Sequence, residues 1–185
     1  MKFVAKYILP LILLPTISGC SKSKAQVLSS NNYVTYSLFR EAGYTDYLNT
    51  FDFGRIYRIS RWAALGGEAS VYKFTADNYS FIGLGLRPVL DIYLLHKGHC
   101  SIFTEGRGGI VYMFPEYSRS ALNFTFVSTT GVELRVFKTN NLRFGLGYHH
   151  FSNGKQYAEI TNAVWDGFGI SFAWHYRFAY YKRQF

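Results

Sequence analysis

A two-residue alternation of apolar and polar side chains constrains the fold of this chain more than any other feature. Successive side chains of a β-strand point to opposite faces, so such a segment indicates a strand with one apolar face. In residues 79–94 the apolar face carries Ile82, Leu84, Leu86, Leu90, Ile92 and Leu94. The same alternation is clear in 121–137 and 166–178. The pattern therefore predicts a protein built from strands.

Turn-rich breaks divide the chain into about eight segments of strand length. They are 33–40, 50–60, 63–75, 79–94, 101–114, 121–137, 142–152 and 166–178. The polar faces of these segments collect charges of both signs: Asp52, Arg58, Glu68, Arg87, Asp91, Glu105, Arg107, Glu133, Arg135, Arg143 and Arg177. A closed barrel of about eight strands has an interior filled by side chains, so we expect these acids and bases to pair inside a cylinder without a pore.

Two barrel architectures satisfy the alternation. A soluble barrel would turn its apolar face inward, whereas a membrane barrel would turn it toward lipid. The composition favours the membrane barrel, because aromatic residues make up 19% of the chain and charged residues only 17%. The aromatic C-terminus, with Phe178, Tyr180, Tyr181 and Phe185, suits an interfacial girdle. We expect an all-β fold, an eight-stranded antiparallel transmembrane β-barrel of outer-membrane type, located in a Gram-negative type outer membrane.

The N-terminus has the features of an export signal. Lysines precede an apolar run over residues 7–17, which is too short to span a bilayer as a helix. Two cleavage sites compete. Residues 17–20 resemble a bacterial lipobox, which would make Cys20 a lipidated first residue, whereas the small residues within 23–25 suit ordinary cleavage.

The expected domains are a signal peptide over 1–25 and a barrel over 26–185. Removing the signal takes away four lysines and no acid, so the net charge falls from +9 to +5. The remaining excess suits an anionic lipid surface, and its scattered distribution argues against nucleic acid. The run His96-Lys97-Gly98-His99-Cys100 fits no strong zinc spacing, and we expect neither a metal nor a cofactor.

Two reactive side chains stand out at the end of the seventh segment. Alternation places His150 and Ser152 on the apolar face, together with Tyr148, which fits an interfacial aromatic or part of an acyl groove. A polar pair facing lipid is costly unless it serves a function. A serine hydroxyl becomes a nucleophile when a base takes its proton, and histidine is suited to that role near pH 7. In an even-stranded barrel with periplasmic termini, this strand runs outward, so the pair would lie near the outer leaflet.

The stretch His150-Phe151-Ser152-Asn153-Gly154, followed by a loop and a final aromatic strand, resembles the PagL-type lipid A 3-O-deacylases. The resemblance implies an eight-stranded outer-membrane barrel with a serine-esterase site on its outer wall. It also implies an H-x-S-N motif late in strand seven, which His150, Ser152 and Asn153 match. The Asn153 amide and the Gly154 backbone are candidates for stabilising the oxyanion of the reaction.

The chain departs from this family at the acid that would orient the imidazole. The resemblance implies a glutamate near the start of the last strand, which would fall at or near Gly169, a residue without a carboxylate. Asp166 shares the outward parity of Phe168 and is the first choice for the acid. Glu159, in the loop 153–165, is the second choice. The predicted activity is removal of an ester-linked acyl chain from lipid A or a related lipid.

Two other functions remain open at the level of the sequence. The first is a non-catalytic outer-membrane barrel with a degenerate site, serving adhesion or envelope structure, which the lost glutamate favours. The second is a secreted soluble barrel that binds a small apolar ligand. The expected partners are lipid A within lipopolysaccharide, or a phospholipid, and the outer membrane itself. A homodimer is a further option.

Overall fold

Eight antiparallel strands close into a barrel. The computed structural model describes residues 29–41, 46–76, 79–117, 120–152 and 164–177. The strands are β1 Ser29–Glu41, β2 Tyr47–Arg58, β3 Ala63–Ala76, β4 Tyr79–Lys97, β5 Cys100–Tyr117, β6 Ser120–Phe137, β7 Asn140–Ser152 and β8 Val164–Tyr176. Each strand pairs with the next along the chain, and β8 pairs with β1. The predicted eight-stranded antiparallel barrel is confirmed.

Most strand ends differ from the prediction by one to four residues, and two of these differences have local reasons. The second strand stops at Arg58 rather than residue 60, because the Ser60 hydroxyl accepts the backbone N–H groups of Trp62 and Ala63 and closes a turn. The last strand begins at Val164, inside the expected loop, since the Trp165 ring turns inward and is only 1% exposed. Among the described residues, no helix is long and apolar enough to cross a membrane.

Large apolar side chains cover the outer wall of the barrel. The most exposed of them include Leu86 at 64%, Leu146 at 72% and Phe168 at 64%. Their neighbours in sequence turn inward, as the strand period requires. This arrangement contradicts the soluble alternative, in which the apolar face would line the interior, and it suits a wall that contacts lipid.

The lumen is filled by buried charges between two apolar clusters. The Arg87 guanidinium lies 2.7 Å from Asp52 and 2.6 Å from Glu68. Arg107 lies 3.0 Å from the other oxygen of Asp52 and also contacts Glu105. These side chains come from β2, β3, β4 and β5, so the ion pairs join strands across the interior.

Arg143 is the centre of a second group of ion pairs. Its guanidinium lies 2.7 Å from Asp91, 2.7 Å from Glu133 and 3.4 Å from Glu105. It also donates a 2.7 Å hydrogen bond to the Tyr93 hydroxyl. The predicted pairing inside a filled cylinder is therefore confirmed for eight of the eleven charges, and Arg58, Arg135 and Arg177 take no part in these ion pairs.

The two ends of the barrel differ in their connections. Connections of four, two and two residues, at 59–62, 98–99 and 138–139, lie at the end that also holds the start of β1 and the end of β8. At the opposite end, successive strands are separated by five, two, two and eleven residues, and β7 ends there at Ser152. The termini of an even-stranded outer-membrane barrel face the periplasm and the longest connections face outward, so we place Ser152 at the outer end. The expected signal peptide, Cys20 and the aromatic C-terminal residues from Phe178 onward lie outside the described residues.

Candidate active site

The pairing of β7 with β8 forms the site. His150 stands directly opposite Asp166, and Ser152 stands opposite Val164. The side chains of His150 and Asp166 are 35% and 46% exposed, whereas those of His149 and Trp165 are buried. The outward parity predicted from the sequence is therefore observed for both the histidine and the aspartate.

A close contact joins the two groups. The Nδ1 atom of His150 lies 2.8 Å from Oδ1 of Asp166. The Tyr148 hydroxyl donates a hydrogen bond to the same oxygen. An ionised carboxylate only accepts hydrogen bonds, so Nδ1 carries the proton in this contact. In the neutral imidazole the lone pair is then on Nε2, which is the nitrogen that can take a proton from a nucleophile.

Ser152 occupies the next outward position after His150 along β7. Same-face neighbours on a strand have their Cβ atoms about 7 Å apart. The hydrogen bond of the His150 ring in the described part of the chain is to Asp166, and an approach to the Ser152 hydroxyl requires the imidazole to lean along the strand. Ser152 has outward parity, yet it is only 8% exposed, and its partner across the β6 side is Phe124. The hydroxyl is thus shielded while the imidazole remains open to the surroundings.

Gly169, the position nearest to the implied family glutamate, cannot supply an acid. A Cβ atom there would lie 2.0 Å from the Leu38 carbonyl oxygen and 2.7 Å from Phe39 Cα. The position is pressed against the backbone of β1 and has the inward parity of Trp165 and Gly167, which is opposite to that of His150. Among described residues, Asp166 is the carboxylate that contacts the imidazole, from the rung directly opposite.

Side chains behind the site pack the inner side of β7. His149 turns inward, and its Nε2 lies 2.7 Å from the Thr125 hydroxyl. Its ring makes edge contacts with Phe39 and Trp165 at centroid distances of 4.9 and 6.0 Å. These contacts fix the strand from the lumen, so the outward positions are held by a rigid support.

Tyr148 also belongs to the site, because its hydroxyl contacts Asp166. From the sequence alone, Tyr148 fits an interfacial aromatic or part of an acyl groove, and this contact is not predicted. Its position could have indicated this role, since Tyr148 is the outward-facing residue of β7 immediately before His150. The predicted oxyanion donors Asn153 and Gly154, and the second-choice acid Glu159, lie outside the described residues. Within the described part of the chain, no group of three His, Cys, Asp or Glu side chains could hold a metal ion.

A small closed barrel with an apolar outer wall and a filled lumen defines an outer-membrane β-barrel protein. The fold is similar to the solved outer membrane enzyme PagL, with a TM-score of 0.62 and 13% identity over 76% of this chain and 97% of that one. It is also similar to Neisserial surface protein A, with a TM-score of 0.60 and 12% identity over 80% of this chain and 96% of that one. At these identities the likeness shows the fold alone.

The sequence also matches a family profile. The family described as lipid A 3-O-deacylase (PagL) matches residues 31–175, which is most of the chain. The chain belongs to this family, and the predicted membership and outer-membrane location are confirmed. No curated protein sequence matches the chain significantly.

Proposed function

We propose that the protein is an outer-membrane serine esterase that removes an ester-linked acyl chain from lipid A or a related lipid. The observation that carries the proposal is the 2.8 Å contact between His150 and Asp166 on the lipid-facing wall, beside Ser152. Ionisable side chains facing lipid are rare and usually functional. Membership of a family described as lipid A 3-O-deacylase supports lipid A as the substrate and the 3-oxygen as the ester position.

In the proposed mechanism, Ser152 Oγ attacks the ester carbonyl while His150 Nε2 takes its proton. Asp166 holds the imidazole in this tautomer and stabilises the imidazolium that forms. The Asn153 side chain and the Gly154 backbone N–H are the proposed donors to the tetrahedral oxyanion. Collapse of the intermediate transfers the proton from His150 to the leaving alkoxide. Water then attacks the acyl-enzyme with His150 again acting as base, which releases the fatty acid and restores Ser152.

The site needs no channel for its substrate. Lipid A lies in the outer leaflet, and the outward face of β7 lies toward that leaflet at its Ser152 end. Lateral diffusion in the membrane therefore delivers the ester to the wall. The charged lumen on the other side of the strand contributes no path for a lipid, because its side chains fill it.

Replacing Ser152 tests the proposal. We expect Ser152→Ala to abolish deacylation, since removing a triad nucleophile costs on the order of 10⁴-fold or more in rate. Ser128→Ala is the matched control, because Ser128 is on β6, also faces outward and stands opposite Tyr148. Mass spectra of lipid A from cells or vesicles report the lost acyl chain. Equal activity of the wild type and Ser152→Ala would contradict the serine mechanism.

A non-catalytic barrel with a degenerate site is the competing function. The fold fits Neisserial surface protein A about as well as it fits PagL, with TM-scores of 0.60 and 0.62. The barrel itself therefore does not separate the two functions. A wild-type protein that leaves lipid A and phospholipid spectra unchanged would favour the non-catalytic function.

A further inference from the structure

The lumen opens at its periplasmic end into a polar cavity of about 270 Å³. Arg58, Arg135, Lys138 and Arg177 line this cavity, which we call the basic chamber. Among the described residues of its lining, Glu133 is the one acid. Four cations thus share a small concave space at one end of the barrel.

The cations line the exposed mouth of the lumen, and three of them share strand parity with residues that face the interior. Arg135 has the same strand parity as Glu133, and Arg177 has that of His175, both of which are buried in the interior. Arg58 likewise has the parity of the buried Ile56. Basic residues at a membrane interface ordinarily contact lipid headgroups around the outer rim. That role does not explain why these side chains have the parity of the lumen.

Contacts inside the chamber hold two of the cations in place. The guanidinium carbon of Arg58 lies 4.0 Å from the centroid of the Tyr93 ring. The Nε atom of Arg177 donates a 3.2 Å hydrogen bond to Oδ1 of Asn31. Positively charged groups that are already positioned lose less conformational entropy when an anion binds.

Glu133 does not neutralise the chamber, because both of its oxygens are already engaged. Arg143 Nε donates a 2.7 Å hydrogen bond to Oε2, and Asn141 Nδ2 donates a 3.1 Å hydrogen bond to Oε1. Neither donor is one of the four chamber cations. The acid belongs to the deeper network that Arg143 organises.

The deeper network explains only part of the positive charge. Its ion pairs join five carboxylates to three guanidinium groups: Asp52, Glu68, Asp91, Glu105 and Glu133 with Arg87, Arg107 and Arg143. With the chamber cations included, seven positive groups face five negative ones. Two positive charges therefore exceed what the buried acids require.

We propose that the basic chamber binds a phosphate group, either as a free anion or as the headgroup of an anionic lipid of the adjoining leaflet. A phosphate dianion would neutralise the excess of two charges, and a phosphodiester headgroup would neutralise one of them. Guanidinium groups present paired N–H donors that fit phosphate oxygens. At about 30 Å³ per water, the volume of about 270 Å³ equals that of about nine waters, which accommodates a hydrated phosphate.

Calorimetric titration of the purified barrel in zwitterionic detergent with inorganic phosphate tests the proposal, with chloride at equal ionic strength as the reference. We expect saturable binding that weakens at least about tenfold in the double variant Arg135→Gln, Arg177→Gln, because each lost guanidinium removes charge-assisted hydrogen bonds. Arg55→Gln with Arg61→Gln is the matched control. It removes two charges from the same end of the barrel, at residues that stack on Tyr57 and Trp62 outside the chamber.

A second pair of measurements separates the two sources of phosphate and checks the fold. Mixed micelles with phosphatidylglycerol or phosphatidylcholine replace inorganic phosphate, and heat-dependent migration on gels reports that each variant is folded. Binding of phosphatidylglycerol that depends on the chamber supports the headgroup, whereas binding of inorganic phosphate alone supports the free anion. The double variant Arg135→Lys, Arg177→Lys should lose less affinity than the glutamine variant, because it keeps both charges but not the paired N–H donors. No saturable binding above chloride, or an equal loss in the control, would overturn the proposal.

Discussion

Asp166 holds the key position at the scale of single residues. Its Oδ1 accepts hydrogen bonds from both Tyr148 and His150, so one carboxylate oxygen fixes the imidazole from the neighbouring strand. Gly169, where the family resemblance implies an acid, lies against the backbone of β1 with the opposite parity. The acid of the proposed triad thus stands higher on β8, directly across from its histidine.

Replacing Asp166 with Asn should lower kcat for deacylation by on the order of 10²–10⁴-fold, because an amide can support the wrong imidazole tautomer and carries no charge to stabilise the imidazolium. The Michaelis constant should change little, since Asp166 contacts the histidine rather than the lipid. Steady-state kinetics in mixed micelles separate the two constants. An unchanged kcat would mean that the His150–Asp166 contact has no part in the reaction.

Tyr148→Phe should lower the rate by roughly 10- to 150-fold, because a hydrogen bond to a charged group contributes about 1.5–3 kcal/mol. The barrel should fold normally, since the ring keeps its contact with Phe168. Tyr36→Phe is a matched control. Tyr36 on β1 also faces outward and donates a 2.7 Å hydrogen bond, but its acceptor is Asn49 on β2, away from β7 and the site. If both variants retained the full rate, Tyr148 would have no positioning role.

At the scale of elements, closure of the barrel depends on close approach of β8 to β1. A Cβ atom at Gly169 would meet the Leu38 carbonyl oxygen at 2.0 Å. We expect Gly169→Ala to impair folding, because backbone atoms at this distance cannot give way as a flexible side chain can. Gly106→Ala is the control, since nothing lies within 4 Å of a Cβ atom there. The folded fraction on gels, with and without heating, measures both, and equal yields would show that the closure tolerates a methyl group.

The alternation of side chains was sufficient to predict eight strands, their two faces and the outward parity of His150, Ser152 and Asp166. A strand with one apolar face must keep its two-residue alternation, because shifting its register by one residue would turn every apolar side chain to the other face. The alternation is therefore visible in the sequence. The start of β8 was not predictable, as Trp165 lies in the lumen only because Gly167 leaves room beneath its ring.

The register between β7 and β8 was also outside the reach of the sequence pattern. The alternation of side chains predicts that His150 and Asp166 both face outward, but it does not predict that they stand directly opposite each other in the sheet. Which residues of β7 and β8 stand opposite each other depends on the register of the two strands. The sequence shows only that eleven residues separate them. For the same reason, the Tyr148 hydrogen bond to Asp166 became visible only with the fold.

At the scale of the whole molecule, Arg143 joins acids from β4, β5 and β6 across the lumen. Arg143→Met should lower the free energy of unfolding by about 3–5 kcal/mol, because it leaves the buried carboxylates of Asp91 and Glu133 without their cation. Guanidinium unfolding in lipid vesicles measures the change. Arg55→Met, which removes an exposed cation, should cost less than about 1 kcal/mol. Similar losses in the two variants would show that the ion pairs contribute little.

The outward placement of His150 has a kinetic consequence. A reactive group on the lipid-facing wall encounters its substrate by diffusion within the membrane. The rate of the proposed esterase is therefore set by the mole fraction of the ester in the surrounding lipid. Adding inert amphiphile at a fixed total amount of substrate would slow turnover by surface dilution. Stirring or raising the aqueous volume would leave turnover unchanged.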